Sequence, residues 1–151
     1  MIKALNVAKY LLSLVNQDNG DTISNLKLQK LLYYVQGYYL AYFNKPLFNE
    51  KIEGWTLGPV VPVVYNEYKQ YGRDCLPLND FDFDISNLNK EELNLIQNVF
   101  VIYNNYSASS LVNMTHKELP WINSLENGLA VKNEISQNDM TSYFKTQIEN
   151  D

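Results

Sequence analysis

NLKLQKLLYYVQGYYLAYF, residues 25–43, is the stretch that decides the fold of this chain. Its apolar side chains recur at the i, i+3, i+4, i+7 spacing of a helical face, and further apolar strips lie beside that face. The first face carries Leu28, Leu31, Leu32, Val35, Tyr39 and Tyr42. A helix that is apolar around most of its circumference has to be buried on most of it. We therefore predict a buried central helix, with Lys27, Lys30 and Gly37 in its remaining sector. Glycine destabilises a helix by about 1 kcal/mol relative to alanine, so we expect a close neighbouring backbone at Gly37.

The rest of the chain predicts further helices and one extended segment. Lys51–Leu57 is predicted to be extended, with one short strand that ends at Trp55, and Gly58-Pro59 is predicted to open the next helix. Other helices are predicted near Ala4–Val15, after Asn89, after Ser107, at Pro120 and after Ser136. We expect a mainly α protein: a single domain over residues 1–151, built as a helical bundle around the central helix, with a short β-strand or hairpin element.

Composition and charge limit the classes of function. The chain has 151 residues, of which 46% are hydrophobic and 19% charged, so it should fold around a core. It contains 12 tyrosines, whose rings suit half-buried helix faces and partner surfaces. The net charge is −5, and a phosphate-binding surface is more often basic, so we do not expect direct binding of nucleic acid.

The expected location is the cytoplasm. Cys75 is the single cysteine, so no disulfide can form within the chain. The apolar N-terminal run is interrupted by Lys9 and is not followed by a small-residue cleavage site, which argues against a signal peptide. No apolar run is long enough to predict a membrane span.

Residues with catalytic or metal-binding chemistry are few. His116 is the single histidine, so one chain cannot supply a histidine-based zinc site. Cys75 and His116 could act as nucleophile and base, but we favour Cys75 as a small packed residue. The alternating acids of residues 80–84 lack the glycine that a calcium loop needs, since Ile85 stands there, and an acidic loop or edge strand is favoured. We predict no catalytic, cofactor-binding or metal-binding residue.

Four pieces of the chain, in order, resemble one family. They are ISNLKLQKLLYYVQGYYLA (residues 23–41), PLFNEKIEGWTLGPVVPVVYNEY (46–68), SSLVNMTHKELPW (109–121) and EISQNDMTSYF (134–144). The W-x-x-G-P-V element at Trp55–Val60 and the T-H-x-x-x-P-W element at Thr115–Trp121 are the specific parts. The chain resembles the Panacea domain family, also described as SocA-like and as the phage-associated GepA family.

The resemblance implies a non-enzymatic antitoxin. Members are mostly encoded beside small toxic proteins, often on prophages, and the implied role is the antitoxin of a type II-like pair that binds its cognate toxin directly. Delivery of the toxin to the ClpXP protease is a second implied mode. The candidate partner-binding or motif residues are Lys30, Tyr34, Trp55, Gly58, Pro59, His116 and Trp121. For Trp55, Gly58 and Pro59 we favour a role in building the fold; Lys30 and His116 stay open between fold and function.

Two other functions stay open from the sequence. One is a phage-encoded interaction protein that binds a host factor and has no toxin partner. The other is a small enzyme that uses His116 together with an acidic or thiol group in one pocket.

Overall fold

The computed structural model describes residues 1–149, and this part of the chain is mainly helical with one small antiparallel sheet. The α-helices are α1 (Ala4–Ser13), α2 (Asn25–Phe43), α3 (Pro62–Tyr68), α4 (Lys90–Tyr103), α5 (Ala108–Thr115), α6 (Leu119–Ile122) and α7 (Gln137–Glu149). The strands are β1 (Glu53–Trp55) and β2 (Gly58–Val60). Short 3-10 turns cover Gln17–Asn19 and Lys69–Tyr71. The predicted fold class is confirmed.

Helix α2 is the centre of the structure, as predicted. It begins where Ser24 Oγ accepts a hydrogen bond from the Lys27 amide at 3.2 Å, and it ends at Asn44, which adopts the left-handed conformation typical of helix C-termini. Helices α4, α5 and α7 and strand β2 pack around it, so most of its side chains are buried. Tyr42 is an exception: its prediction as a core residue is wrong, because it lies 53% exposed on the last turn of the helix.

Gly37 allows α7 to approach α2. A Cβ atom at this position would overlap the ring of Phe144, which is fully buried. A close contact at Gly37 is therefore present, but the predicted neighbouring backbone is wrong, since the neighbour is an aromatic side chain. The ring also packs edge-on against Tyr33, with centroids 5.4 Å apart.

The sequence prediction failed where the hairpin forms. Gly58-Pro59 does not open a helix: these residues lie in β2, which pairs with β1 so that Gly54 faces Pro59 and Trp55 faces Gly58. Helix α3 begins later, with Pro62 in its first turn. A glycine-proline pair is compatible with either structure, and the pairing with β1 decides in favour of the strand.

Both edges of this hairpin are covered. On the β1 side, Gly54 donates to Asn133 O at 2.8 Å and accepts from the Lys132 amide at 3.1 Å. On the β2 side, helix α2 supplies side chains: Gln29 Oε1 accepts from the Val61 amide, which follows the strand, at 2.9 Å. Because Pro59 has no N–H, its carbonyl is the remaining polar group on that edge, and it is also hydrogen-bonded, as described below.

Of two predictions made from short stretches elsewhere in the chain, one is confirmed and one is wrong. The predicted capping pair is confirmed, since Asn89 Oδ1 accepts from the Glu92 amide and Glu92 Oε1 accepts from the Asn89 amide. The packing predicted for Cys75 is wrong, because its side chain is exposed. The next residue, Leu76, is the buried one, and its amide donates to Ile23 O at 2.8 Å. No helix within residues 1–149 has the length and apolar character to cross a membrane.

Candidate functional site

Lys30 joins the central helix to the hairpin. Its Nζ donates to the carbonyl oxygen of Pro59 at 2.9 Å, and the side chain is fully buried. No carboxylate within residues 1–149 forms an ion pair with it. Burial in an apolar environment disfavours the ammonium form and lowers the pKa of Lys30 to about 7. The sector of α2 that carries Lys30 is therefore buried at this residue, because β2 covers it and offers a carbonyl to its tip.

Gly58 is required at the end of the hairpin turn. Its φ of +104° lies in the region that side-chain-bearing residues avoid. A Cβ atom there would also lie 2.7 Å from Thr115 Oγ1 and 2.8 Å from Lys30 Cε. The hairpin thus packs directly on α5 and on the lysine stem, and this position leaves no room for another side chain.

His116 and Trp121 hold the turn from its other side. His116 Nε2 donates to Thr56 O at 3.0 Å, and Trp121 Nε1 donates to Trp55 O at 2.8 Å. The two rings stack on each other with centroids 4.2 Å apart and an interplanar angle of 29°. Successive carbonyls of the turn are thus held by a pair of stacked rings, which we call the ring clasp.

Glu118, between the two clasp residues, is a functional candidate that sequence reasoning missed. Its carboxyl group accepts from Tyr33 at 2.9 Å and from Tyr34 at 2.8 Å, and Tyr143 also hydrogen-bonds to it. Burial outweighs these hydrogen bonds and raises the pKa of Glu118 to about 7. Buried tyrosine hydroxyls need polar partners, so the tyrosine-rich central helix was the available signal for a buried acceptor.

The seven predicted residues therefore form one connected assembly. Lys30 and Pro59 bond to each other, Gly58 packs on Lys30, and the ring clasp holds the backbone at Trp55. Tyr34 enters through Glu118, and its ring stacks on that of Tyr103 with centroids 3.9 Å apart. Lys30, Tyr34, Gly58 and Pro59 are buried, whereas Trp55, His116 and Trp121 are half-buried. Of the seven, only the latter three are accessible at the surface.

A groove of about 470 Å³ opens beside the hairpin turn. One wall is aromatic: the rings of Trp55 and Tyr65 meet edge to face with centroids 4.9 Å apart. The exposed side chain of Leu57 extends this apolar surface at the tip of the turn. Trp55 Nε1 donates to Glu53 Oε1 at 2.9 Å, which fixes the orientation of the indole. The three cationic side chains that line the groove are Lys69, Arg73 and Lys132.

The contacts around the hairpin are hydrogen bonds to backbone carbonyls and the packing of rings. The described contacts of the His116 ring are with a backbone carbonyl and with Trp121. Within the described residues, 1–149, no cluster of three or more His, Cys, Asp and Glu side chains could hold a metal ion.

Comparison with known proteins gives one family and one named relative. The model of the family described as "Antitoxin SocA-like, Panacea domain" matches residues 28–122, which include the hairpin and the ring clasp. The chain is also similar to "Antitoxin SocA" of Caulobacter vibrioides (strain NA1000 / CB15N), with 50% identity over 50 residues. That match covers 33% of this chain and 27% of the relative, so it spans about a quarter of the relative's length. No solved structure matches significantly.

Proposed function

Because the chain belongs to the antitoxin SocA-like, Panacea domain family, we propose that it is the antitoxin of a toxin–antitoxin pair. It neutralises its cognate toxin by direct protein–protein binding and carries out no catalysis. The toxin is a protein encoded by a neighbouring gene. The name of the Caulobacter relative supports an antitoxin role, while the toxin and the mode of neutralisation are inferred here.

The observation that carries this proposal is that residues of the family motifs hold the hairpin turn in place. The residues 28–122 that match the family contain a hairpin held by Lys30, by Gly58 packing and by the ring clasp. These contacts make the turn rigid and leave Trp55 and Leu57 at the surface. A rigid, partly apolar surface with aromatic residues suits protein binding, because little conformational entropy is lost when a partner docks.

An enzymatic role for His116 is disfavoured by its contacts. The enzyme alternative needs an acidic or thiol group in reach of the imidazole. The described contacts of the ring are the Thr56 carbonyl, which accepts from Nε2, and the ring of Trp121, and neither is such a group. Both contacts stabilise the turn, so we infer a structural role for His116, and the small-enzyme alternative has no supporting observation.

Co-expression tests the proposed function. The neighbouring gene is expressed from an inducible promoter in a host, alone and together with this chain. We expect growth arrest when the neighbour is expressed alone and normal growth when both are present. A harmless neighbour, or a toxic one that this chain does not rescue, would contradict the proposal. Capture of a host protein in place of the neighbour's product would favour the host-factor alternative.

The same assay in a host without ClpX separates direct neutralisation from delivery to ClpXP. Direct binding predicts that rescue continues and that the amount of toxin stays unchanged. Rescue that disappears without ClpX, with toxin accumulating, would show the adaptor mode instead.

A further inference from the structure

We propose that the groove beside the hairpin is the docking site for an acidic segment of a partner protein that carries an apolar anchor side chain. The aromatic wall at Trp55 and Tyr65, together with Leu57 at the tip of the turn, would receive the anchor. Its volume of about 470 Å³ is in the range of small-ligand and anchor pockets, roughly 300–1,000 Å³. The inference rests on the proposed function for its occupant, which is then a segment of the toxin.

The charges that line the groove are opposite in sign to the net charge of the whole chain; Glu53, whose Oε1 accepts from Trp55 Nε1, is not among the lining residues. The sequence has 12 Lys and Arg against 17 Asp and Glu. The groove is lined by three of these cations, Lys69, Arg73 and Lys132, and by no carboxylate. All three are exposed, so their charges are available to a partner. A positive groove on a negative protein would select acidic segments and would orient them on approach.

Lys132 provides an independent sign that the groove is built for recognition. Its backbone has a φ of +63°, a conformation that costs a residue with a side chain roughly 1–2 kcal/mol. The hydrogen bond from its amide to Gly54 O holds this conformation. The result places its Nζ 4.3 Å from the centroid of the Trp55 ring. Strain of this kind concentrates at ligand-binding sites, and here it fixes a cation directly over the aromatic wall.

The covered hairpin edges indicate how the segment is recognised. An extended peptide can bind by adding a strand to an open sheet edge. Here the β1 edge is occupied by Lys132 and Asn133, and the β2 edge is capped by Lys30 and Gln29. We therefore expect recognition through the side chains of the partner: carboxylates at the three cations, which we call the rim, and an apolar group at the aromatic wall.

A protein segment fits this site better than a nucleic acid does. A nucleic acid carries a phosphate charge on every nucleotide, so beyond the groove it would meet the surface of a protein with net charge −5. An acidic segment needs to be negative only where it crosses the three cations. A nucleic acid would also not require the apolar side chain of Leu57, which is 52% exposed at the tip of the turn.

The test compares a groove-reversed variant with a matched control. In the groove-reversed variant, Lys69→Glu, Arg73→Glu and Lys132→Glu reverse the rim. Random short peptides displayed on phage are selected on the wild-type chain alone. We expect enriched peptides that combine Asp or Glu with an aromatic or aliphatic residue. Their affinity should fall roughly tenfold or more in the groove-reversed variant, because several rim charge pairs are lost, and it should also fall with added salt.

The control variant carries Lys3→Glu, Lys90→Glu and Lys145→Glu, which reverse three exposed lysines outside the groove. It has the same net charge as the groove-reversed variant, and both are checked for folding by circular dichroism. We expect the control to bind the selected peptides within about twofold of wild type, since these lysines make no rim contact. Selection of basic peptides, a failure to enrich any acidic ones, or equal losses in both variants would overturn the docking proposal.

The co-expression assay separates this proposal from the proposed function. If wild type and control rescue growth while the groove-reversed variant does not, both proposals are supported. If all three rescue growth, the toxin binds elsewhere; the docking proposal for the toxin fails and the antitoxin function stands. If wild type itself gives no rescue, the antitoxin function fails, and the peptide selection still decides whether the groove binds acidic segments.

Discussion

Stability should pass through a minimum near pH 7, because the core holds one lysine and one glutamate whose pKa values are displaced toward neutrality from opposite sides. Lys30 has its pKa lowered from 10.5 to about 7, and Glu118 has its pKa raised from 4.5 to about 7. Both side chains are buried, so solvent screens these shifts little. The pH profile of the free energy of unfolding reports both groups at once.

The alkaline arm comes from Lys30. Between about pH 7 and 10.5 the unfolded chain binds the proton and the folded chain does not, so stability rises with pH. The penalty for the buried amine is fully present below pH 7 and disappears above 10.5. From about pH 7 to about pH 9 the expected gain is about 2 kcal/mol. Burial raises the pKa of Tyr33 and of other core tyrosines, which affects stability only above about pH 10, so measurements should stay below about pH 9.5.

The acidic arm comes from Glu118. Its raised pKa means that the folded state holds a proton that the unfolded state releases between about pH 4.5 and 7. The stabilising contribution of the protonated Glu118 to the free energy of unfolding is fully present below pH 4.5 and is lost as the pH rises through 7. From about pH 5 to about pH 7 the expected loss is about 2 kcal/mol. The exposed acids with lowered pKa values, such as Asp80 and Asp84, titrate at lower pH and do not disturb this window.

Urea unfolding followed by tryptophan fluorescence at about pH 5, 7 and 9 measures both arms. Lys30→Met should flatten the alkaline arm and keep the acidic one, and Glu118→Gln should do the reverse. The exposed Lys51→Met should keep both arms and serves as the control. A wild-type profile that is flat from about pH 5 to 9, or arms that persist in the matched variants, would refute the electrostatic account of this core.

Three substitutions test the packing. Gly37→Leu should destabilise the fold by about 1–3 kcal/mol, because the new side chain overlaps Phe144. In thermal melts of the double variant, this loss of stability should not add to that of Phe144→Ala, and strict additivity would contradict the contact. Gly58→Ala should lower the free energy of unfolding more than Gly20→Ala does, since both glycines have positive φ but only Gly58 lacks space for a Cβ atom. Equal losses in the urea midpoint would count against the close packing on the hairpin. Trp121→Phe removes a hydrogen bond to the turn and should cost about 1 kcal/mol and speed amide exchange in the hairpin; unchanged exchange would show that the ring clasp does not hold the turn.

Much of the helical frame was predictable because its signals are local. The Ser24 cap, the Asn89–Glu92 capping pair and the apolar pattern of the central helix lie within a few residues of the structure that they specify. The family resemblance selected residues that the structure brings into one assembly. Their role in partner binding is still a prediction.

The hairpin and the core charges could not be predicted from local sequence. The strand state of Gly58-Pro59 depends on pairing with β1 and on side chains from α2, which are far away in the chain. Charged residues are seldom fully buried, so the sequence gives no reason to expect Lys30 in the core. Its burial depends on the Pro59 carbonyl, and that of Glu118 on distant tyrosines. Contacts that join distant parts of a chain leave no periodic pattern in it.

Titration of the purified toxin with the purified chain tests the central claim most directly. If this protein acts by presenting a surface, toxin activity should fall linearly as the chain is added and reach zero at a fixed molar ratio, with active toxin recovered when the complex is separated in denaturant and refolded. Loss of toxin activity at strongly substoichiometric amounts, increasing with incubation time, would show turnover and would contradict the account.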